Sequence, residues 1–348
     1  MSLGPVMLDL AGLEMTPAER EMLQHPQVGG VILFSRNYES PQQIAALIEG
    51  IHALRQPKLL VAVDHEGGRV QRFRDGFTRL PPAAAIGGIY RQDRARGRHV
   101  ARELGWLMAA ELRAVGVDFS FAPVLDLGRG VSGVIGDRAF HRHPDAVADI
   151  AHHYMMGMHD AGMPATGKHF PGHGSVKEDS HLTLPVDDRR LEDILIEDAL
   201  PFERMSHYGL AAVMMAHVVY SHVDSSPAGF SGFWIRHVLR ERIGFQGVVF
   251  SDDLSMAGAA VAGGYDDRAR AALEAGSDMV LICNHPEGAA EALQGLQGYD
   301  DPVAHMRLAR MHGRHPVTPG ELCASRRWRE AVVLANGLDD SVEMDLNL

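Results

Sequence analysis

The chain has 348 residues, 46% of them hydrophobic, enough to bury the core of one large α/β barrel or of two smaller domains. A net charge of -12 and an isoelectric point near 5.9 argue against nucleic acid, whose phosphates need a basic face, and no stretch approaches the roughly 18 uncharged apolar residues of a membrane span. Cys283 and Cys323 give no disulfide framework, and the opening MSLGPVMLDLAGLEM, broken by Asp9 and Glu14, lacks the features of a secretory leader, so a cytoplasmic protein is expected.

Short apolar runs alternate with amphipathic stretches to about residue 298. Strands are predicted at 5–9, 29–34, 59–64, 118–125, 163–169, 211–217, 247–252 and 278–283. Helix starts between them are marked by Thr16 before Pro17, Ser40 before Pro41, His143 before Pro144, and Ser231 ahead of the segment 234–242. Eight βα units imply an α/β protein whose parallel sheet closes into a single (β/α)8 barrel. After about residue 300 the alternation stops, and helical segments at 302–313 and 319–336 are expected on the outside of the barrel. The expected division is therefore a barrel over 1–300 and C-terminal helices over 301–348, with the tail DDSVEMDLNL frayed.

Polar residues fall where such a barrel has its active rim. Asp9, Arg36, Asp64, Asp126, Lys168 with His169, His217, Asp252 and Asn284 each lie at or just after the C-terminal end of a predicted strand. Any one of them could simply cap the next helix, and for Asp9, Asp126 and Asn284 the two readings are evenly balanced. Taken together they predict a polar pocket.

The densest chemistry is in KHFPGHGSVKEDSH, residues 168–181. Lys168 and His169 end an apolar run, and Gly172 and Gly174 are expected to take positive φ and let the following loop swing. Residues two apart in an extended segment face the same way, so Asp179 can hydrogen-bond His181 and fix its tautomer. The chain has 20 histidines, and one chosen at random is a solvated or core residue. Lys168, His169, His173, Asp179 and His181, however, share fourteen positions of a segment that reads as too polar and glycine-rich for core. In SDDLSM, residues 251–256, a buried strand runs into two carboxylates. Asp253 fits a helix cap, whereas Asp252 points to the pocket as a metal ligand, a base or a nucleophile.

Metal hydrolysis is the chief rival. Amidohydrolase-type barrels expect a His-x-His pair on the first strand, where this chain has Met7-Leu8-Asp9, and a loop holding His173 and His181 is poorly organised for a metal.

These two segments, with VAVDHEGGRVQRF at 61–73 and GDRAFH at 136–141, resemble the four signature segments of bacterial β-N-acetylglucosaminidases of glycoside hydrolase family 3, the NagZ type. GPVMLDL near the start and AHVVYSHVD at 216–224 are similar as well, so the resemblance runs in order from about residue 5 to 300. It implies that Asp252 is a nucleophile forming a covalent glycosyl intermediate and that His181 is the acid/base with Asp179 as its partner. It further implies that Asp64, Arg72, Arg138, Lys168 and His169 hold the N-acetylglucosamine ring. With these acids accounted for by sugar binding and no ligand set of suitable spacing left, no metal or organic cofactor is expected, and a monomer is expected. The substrates implied are muropeptide fragments bearing 1,6-anhydro-N-acetylmuramic acid, released in cell-wall recycling.

Retaining glycosidases usually pair two carboxylates about 5 Å apart. No rigid second carboxylate is evident at a matching motif position, so histidine is expected in its place, on a loop over 171–181 that closes on the sugar. Histidine suits anionic substrates and leaves phosphorolysis open beside hydrolysis. A silent sugar-binding protein would keep Asp64, Lys168 and Arg138 but has no use for Asp252 together with Asp179 and His181.

Overall fold

The computed structural model of the chain describes residues 2–315 and 317–345, with side chains as far as 338. Eight short segments, most of them rich in Val, Leu, Ile and Met, form parallel strands: β1 Val6–Leu8, β2 Val28–Leu33, β3 Leu60–Val63, β4 Phe119–Ser120, β5 Thr166–Phe170, β6 Ala212–Met215, β7 Val248–Asp253 and β8 Met279–Ile282. Nearly every strand residue is buried, because helices cover the outer face and side chains fill the inside. Neighbours run β4-β3-β2-β1-β8-β7-β6-β5, with Gly30 opposite Leu60 and Val6 opposite Val280.

The two ends of this ladder, β4 and β5, meet and close the barrel. Thr166 N–H donates to Ala122 O (2.8 Å) and Leu125 N–H to Lys168 O (2.7 Å), with Val124 bridging Lys168. The predicted strand at 118–125 is therefore present as an extended segment, but its regular ladder stops at Ser120. Pro123 has no N–H to contribute, so pairing beyond that point is patchy. Inside, Phe119, Phe121 and Phe250 meet with ring centroids 5.2–5.5 Å apart, joining β4 to β7, which do not pair with each other.

The helix starts follow the capping signals with one exception. Thr16 forms a capping box with Glu19, and Ser40 accepts from Gln43 N–H. His143 precedes helix Pro144–Asp160 without capping it; its own N–H instead donates to His141 Nδ1. Ser231 Oγ accepts from Trp234 N–H, and the segment Phe233–Arg242 that follows winds as a π-helix. At the C-terminus the expected segment 302–313 is helix Pro302–Leu308 followed by a 3-10 turn, Ala309–Met311. The segment expected at 319–336 divides at Ser325 into Pro319–Ala324 and Arg326–Asp345. Arg327 and Trp328 dock the latter on helix Arg94–Ala114 through Glu103 and Glu111. The tail expected to fray lies, in its side chains from 339 and wholly from 346, outside the described residues.

Asp118, just before β4, ties the opposite end of the barrel together. Its carboxylate accepts from Val61 N–H (2.9 Å) and Gly313 N–H (2.9 Å) and lies 3.4 Å from His52 Nε2. Burial alone would raise its pKa, but hydrogen bonds from His312, His52 and Gly313 hold it well below the usual carboxylate range. Asp118→Ala leaves these donors buried and unpaired and should cost about 3 kcal/mol of stability. Urea unfolding followed by circular dichroism measures this; unchanged midpoints would remove Asp118 from the forces holding the barrel.

Candidate active site

The C-terminal ends of the strands surround a cavity of about 440 Å³. Asp64, Arg72, Arg138, Lys168, His169, Asp179, His181 and Asp252 all line it. More voluminous cavities, among them ones of about 550, 580 and 880 Å³, lie elsewhere, so it is the side chains and not the volume that mark this one.

β3 ends at Val63 and the chain turns through a hairpin, His65–Gly67 against Val70–Gln71, that carries Asp64, Glu66, Arg69 and Arg72 to the rim. Lys168, from the middle of β5, reaches Asp64 Oδ1 (2.8 Å) and Glu66 Oε1 (2.6 Å) with only 2% of its side chain exposed. Arg138 grips Glu66 with two parallel bonds of 2.8 Å, and Arg72 stands 3.5 Å from Asp64. Burial would raise the pKa of both carboxylates, but the Arg138 and Lys168 charges hold Glu66 far below its usual range, and Lys168 and Arg72 hold Asp64 below its own.

Glu66 is a rigid carboxylate of the site that the sequence reading did not name beside Asp64 and Asp252. The signal was its position two residues after Asp64, ahead of the Gly67-Gly68 turn, where a strand-end acid is brought back to the same rim. Glu66 is nevertheless unsuited to giving up a proton, because its two cations keep it ionised.

One correction concerns the loop. Lys168, His169 and His173 are buried, so the first half of the 168–181 segment is core. His169 Nδ1 and N–H both bond Asp126, His173 N–H donates to Asp126 Oδ1 (2.6 Å), and His173 Nε2 lies 3.0 Å from Ser180 Oγ. Gly172 does take positive φ (150°), packed against Asp198; Gly174 is needed for close approach instead, since a Cβ there would sit 2.1 Å from Leu127 O. Ser180 is held inward, its carbonyl accepting from Gly258 N–H, while Asp179 and His181 on either side turn outward. Asp179 Oδ1 accepts both from His181 N–H (2.9 Å) and, at 2.7 Å, from the ring Nδ1, leaving Nε2 directed away from the acid. The dyad is 36% and 60% exposed at the cavity mouth.

The adjacent acids of β7 differ sharply. Asp253 accepts from Ser255 N–H, Ser255 Oγ and Cys283 N–H, tying β7 to the end of β8; it is no helix cap, as helix Tyr265–Ala275 begins twelve residues later. Burial pushes Asp253 up to about 6 despite these bonds, and the Asp252 charge adds to the shift. Asp252 accepts Asp253 N–H (2.8 Å) and, among the described residues, has no cation in ion-pair contact. Burial raises its pKa, but the fields of His169 and His217 and the Asp253 N–H outweigh it and the carboxyl lies below the ordinary value. His217, fully buried at the end of β6, is fixed by its Nε2 contact with Asp253 O (3.2 Å).

Of the other rim residues, Asp9, Arg36 and Asn284 form a clasp over β1, β2 and β8, with Arg36 paired to Asp9 and donating to Asn284 Oδ1 (2.8 Å). Among the described residues no group of three or more His, Cys, Asp or Glu is disposed to hold a metal ion.

Residues 6–306 match the glycosyl hydrolase family 3 N-terminal domain. Over its whole length the chain is similar to a β-hexosaminidase of Thioalkalivibrio sulfidiphilus, 66% identical over 348 residues and 100% of both chains. Among solved structures it is similar to NagZ from Neisseria gonorrhoeae in complex with N-trifluoroacetyl-D-glucosamine: 45% identity, 97% of this chain and 98% of that one, TM-score 0.92. That same protein in complex with a zinc ion matches at 43% identity over 97% and 98% of the chains, with TM-score 0.91.

Glu66→Gln removes one counter-charge from buried Lys168 and Arg138 and should cost about 3 kcal/mol at neutral pH. Because Glu66 is depressed below its usual 4.5, its contribution is present above that value and is lost as the pH falls below it. The melting temperatures of wild type and variant should therefore be furthest apart near neutrality and converge in acid. A gap that stays constant from pH 7 to about pH 3 would contradict the ion-pair origin of the effect.

Proposed function

The chain belongs to glycoside hydrolase family 3 and is a glycosidase of the β-N-acetylhexosaminidase kind, from which we propose that it releases terminal N-acetylglucosamine, with retention of configuration, from peptidoglycan-derived muropeptides. The observation that carries this reading is the division of labour among the cavity's acids. Asp64 and Glu66 are committed to cations and Asp253 to three hydrogen bonds, while Asp252 is ionised and without a cation in contact.

In this reading Lys168, Arg72 and His169 donate to sugar hydroxyls and Asp64 accepts from them. Arg138, with two nitrogens given to Glu66, offers its remaining N–H groups, so Glu66 supports the sugar site through it. Asp252 attacks the anomeric carbon as the bond to the leaving oxygen breaks, and His181 Nε2–H passes its proton to that oxygen. The resulting glycosyl ester is opened by water, which gives a proton to His181 as it bonds to the anomeric carbon and frees the Asp252 carboxylate. Asp179 holds the imidazole so that Nε2 faces this chemistry.

The cavity's size favours a single terminal sugar, and Arg69, an exposed part of its lining paired with Asp137, is suited to the lactyl and peptide carboxylates of muropeptides. Histidine as the acid avoids adding a negative charge where such an aglycone departs. With Gly172 to Gly174 and Ser180 packed inward, the parts that move on binding are the exposed Asp179 and His181 on either side of Ser180. The barrel over 1–300 is read as the catalytic unit, a monomer without cofactor acting in the cytoplasm in cell-wall recycling, and 301–348 as its helical appendage. No helix among the described residues is long and apolar enough to cross a membrane.

Asp252→Asn should lower turnover on an aryl N-acetylglucosaminide by about 10³-fold or more while sugar binding is retained. A fluorinated glycosyl donor should label Asp252 in the wild type, as read by peptide mass spectrometry. A label on Asp253, or on no residue, sinks the assignment.

His181→Ala should slow substrates with poor leaving groups far more than nitrophenyl ones, because proton donation matters most where the departing oxygen is basic. Asp179→Ala should show the same slope more mildly, and His173→Ala should not show it. Rates over aryl N-acetylglucosaminides of rising leaving-group pKa test this; equal losses across the series for His181→Ala would overturn the dyad. Product analysis with phosphate present distinguishes phosphorolysis, which would yield a sugar phosphate.

A further inference from the structure

At the opposite end of the barrel from the catalytic cavity lies another, of about 550 Å³. Its floor is made by the residues that lead into β5, β6 and β7: Met163 and Pro164, Leu210 and Ala211, Phe245 and Gly247. Its wall is the segment that follows helix Pro302–Leu308, carrying Arg310, His312 and Arg314 beside Arg307. In a chain of net charge -12, none of the described residues lining this cavity is a carboxylate.

The cationic wall is anchored. Gly313 N–H donates to buried Asp118 (2.9 Å), and Arg314 N–H donates to Gly162 O (2.8 Å). A Cβ on Gly162 would stand 2.2 Å from Arg314 O, so the backbone of this segment lies directly on the barrel. Arg307 is braced by Asp278 at 2.8 Å. The acids nearby are thus spent on holding the wall, whereas the side chains of Arg310 and Arg314 have no hydrogen-bond or ion-pair partner among the described residues. Arg310 and Arg314 are exposed on one anchored segment and leave unbalanced positive charge beside the cavity. An anion seated there gains charge-assisted, bidentate bonds.

A second cationic cavity, beside Arg91 and Arg142, is less suited because Asp145 and Asp149 already line it and pair with Arg204 and Arg98. We propose that the cavity under Arg310 and Arg314 is a binding site for a small polyphosphate-bearing molecule, separate from the glycosidase centre. Its volume is that of a small-molecule site, and the apolar floor under a cationic wall fits a ligand with an anionic chain and an uncharged body.

Tripolyphosphate and adenosine triphosphate are the probes, titrated calorimetrically at low salt into the full chain. The wild type should bind one equivalent, and the Arg310→Glu/Arg314→Glu variant should bind about 100-fold more weakly, roughly tenfold per lost charge-assisted contact. Tighter binding of the nucleotide than of tripolyphosphate would assign the floor to an organic body, and equal binding would assign the site to the phosphate chain alone. Arg91→Glu, at the other cavity, should bind as the wild type does. Thermal unfolding without ligand and turnover of a chromogenic N-acetylglucosaminide should be unchanged in both variants, which separates this test from the glycosidase reading. No binding by the wild type at millimolar probe, or a loss in Arg91→Glu equal to that in the double variant, would overturn the proposal.

Discussion

The rim of the barrel depends on a buried ion cluster, Asp64 and Glu66 against Lys168 and Arg138. An ammonium as enclosed as that of Lys168 loses several kcal/mol of hydration, and two carboxylates at 2.6–2.8 Å are what make its charged form tolerable there. The cluster unites the hairpin after β3, the strand β5 and the 3-10 turn Gly136–Arg138, which are far apart along the chain. It holds these segments together and also decides which acids are left free for chemistry. A carboxylate gripped by two cations is a fixed acceptor.

Asp252 and Asp253 show how finely that choice is made. They are consecutive, half-buried and on one strand, yet desolvation carries Asp253 up to about 6 while nearby histidines keep Asp252 below its ordinary value. Both line the cavity, but Asp253 is tied to Ser255 and the backbone of Cys283, whereas Asp252 accepts only the Asp253 N–H. His169 and His217 are the neighbours that matter, and each is held by a partner of its own, Asp126 and the Asp253 carbonyl. Two acids of one kind are thus given opposite tendencies by their surroundings alone.

The far end of the barrel solves a different problem. Asp118 and Asp278, just ahead of β4 and β8, each accept an N–H from a neighbouring strand, Val61 and Val249. Each also holds the C-terminal segment, Asp118 through Gly313 and Asp278 through Arg307. The acids at this end therefore bind backbone and appendage together, and the arginines that remain without partners are those facing outward over the cavity.

Much of the architecture was legible in the sequence because strands buried on both faces must be apolar throughout, and eight such runs separated by amphipathic stretches leave few foldings other than a closed parallel sheet. The cavity-lining residues were legible for a related reason: strand ends are where polar groups can reach a shared space, and motif order preserved their spacing. Pairing between distant residues was not legible. Lys168 meets Asp64 across 104 positions and Arg138 meets Glu66 across 72, so the commitment of Glu66 to cations follows only from closure of the barrel. The same holds for His173 and Gly174, whose polar and flexible appearance suggested a mobile loop until packing against Ser180 and Leu127 made them core. Composition and periodicity by themselves determined which residues could be inside and which strands would form. Which acid is paired, which is free, and which histidine is buried were decided by the tertiary structure, because they depend on electrostatic and packing contacts that exist only after the two ends of the sheet have met.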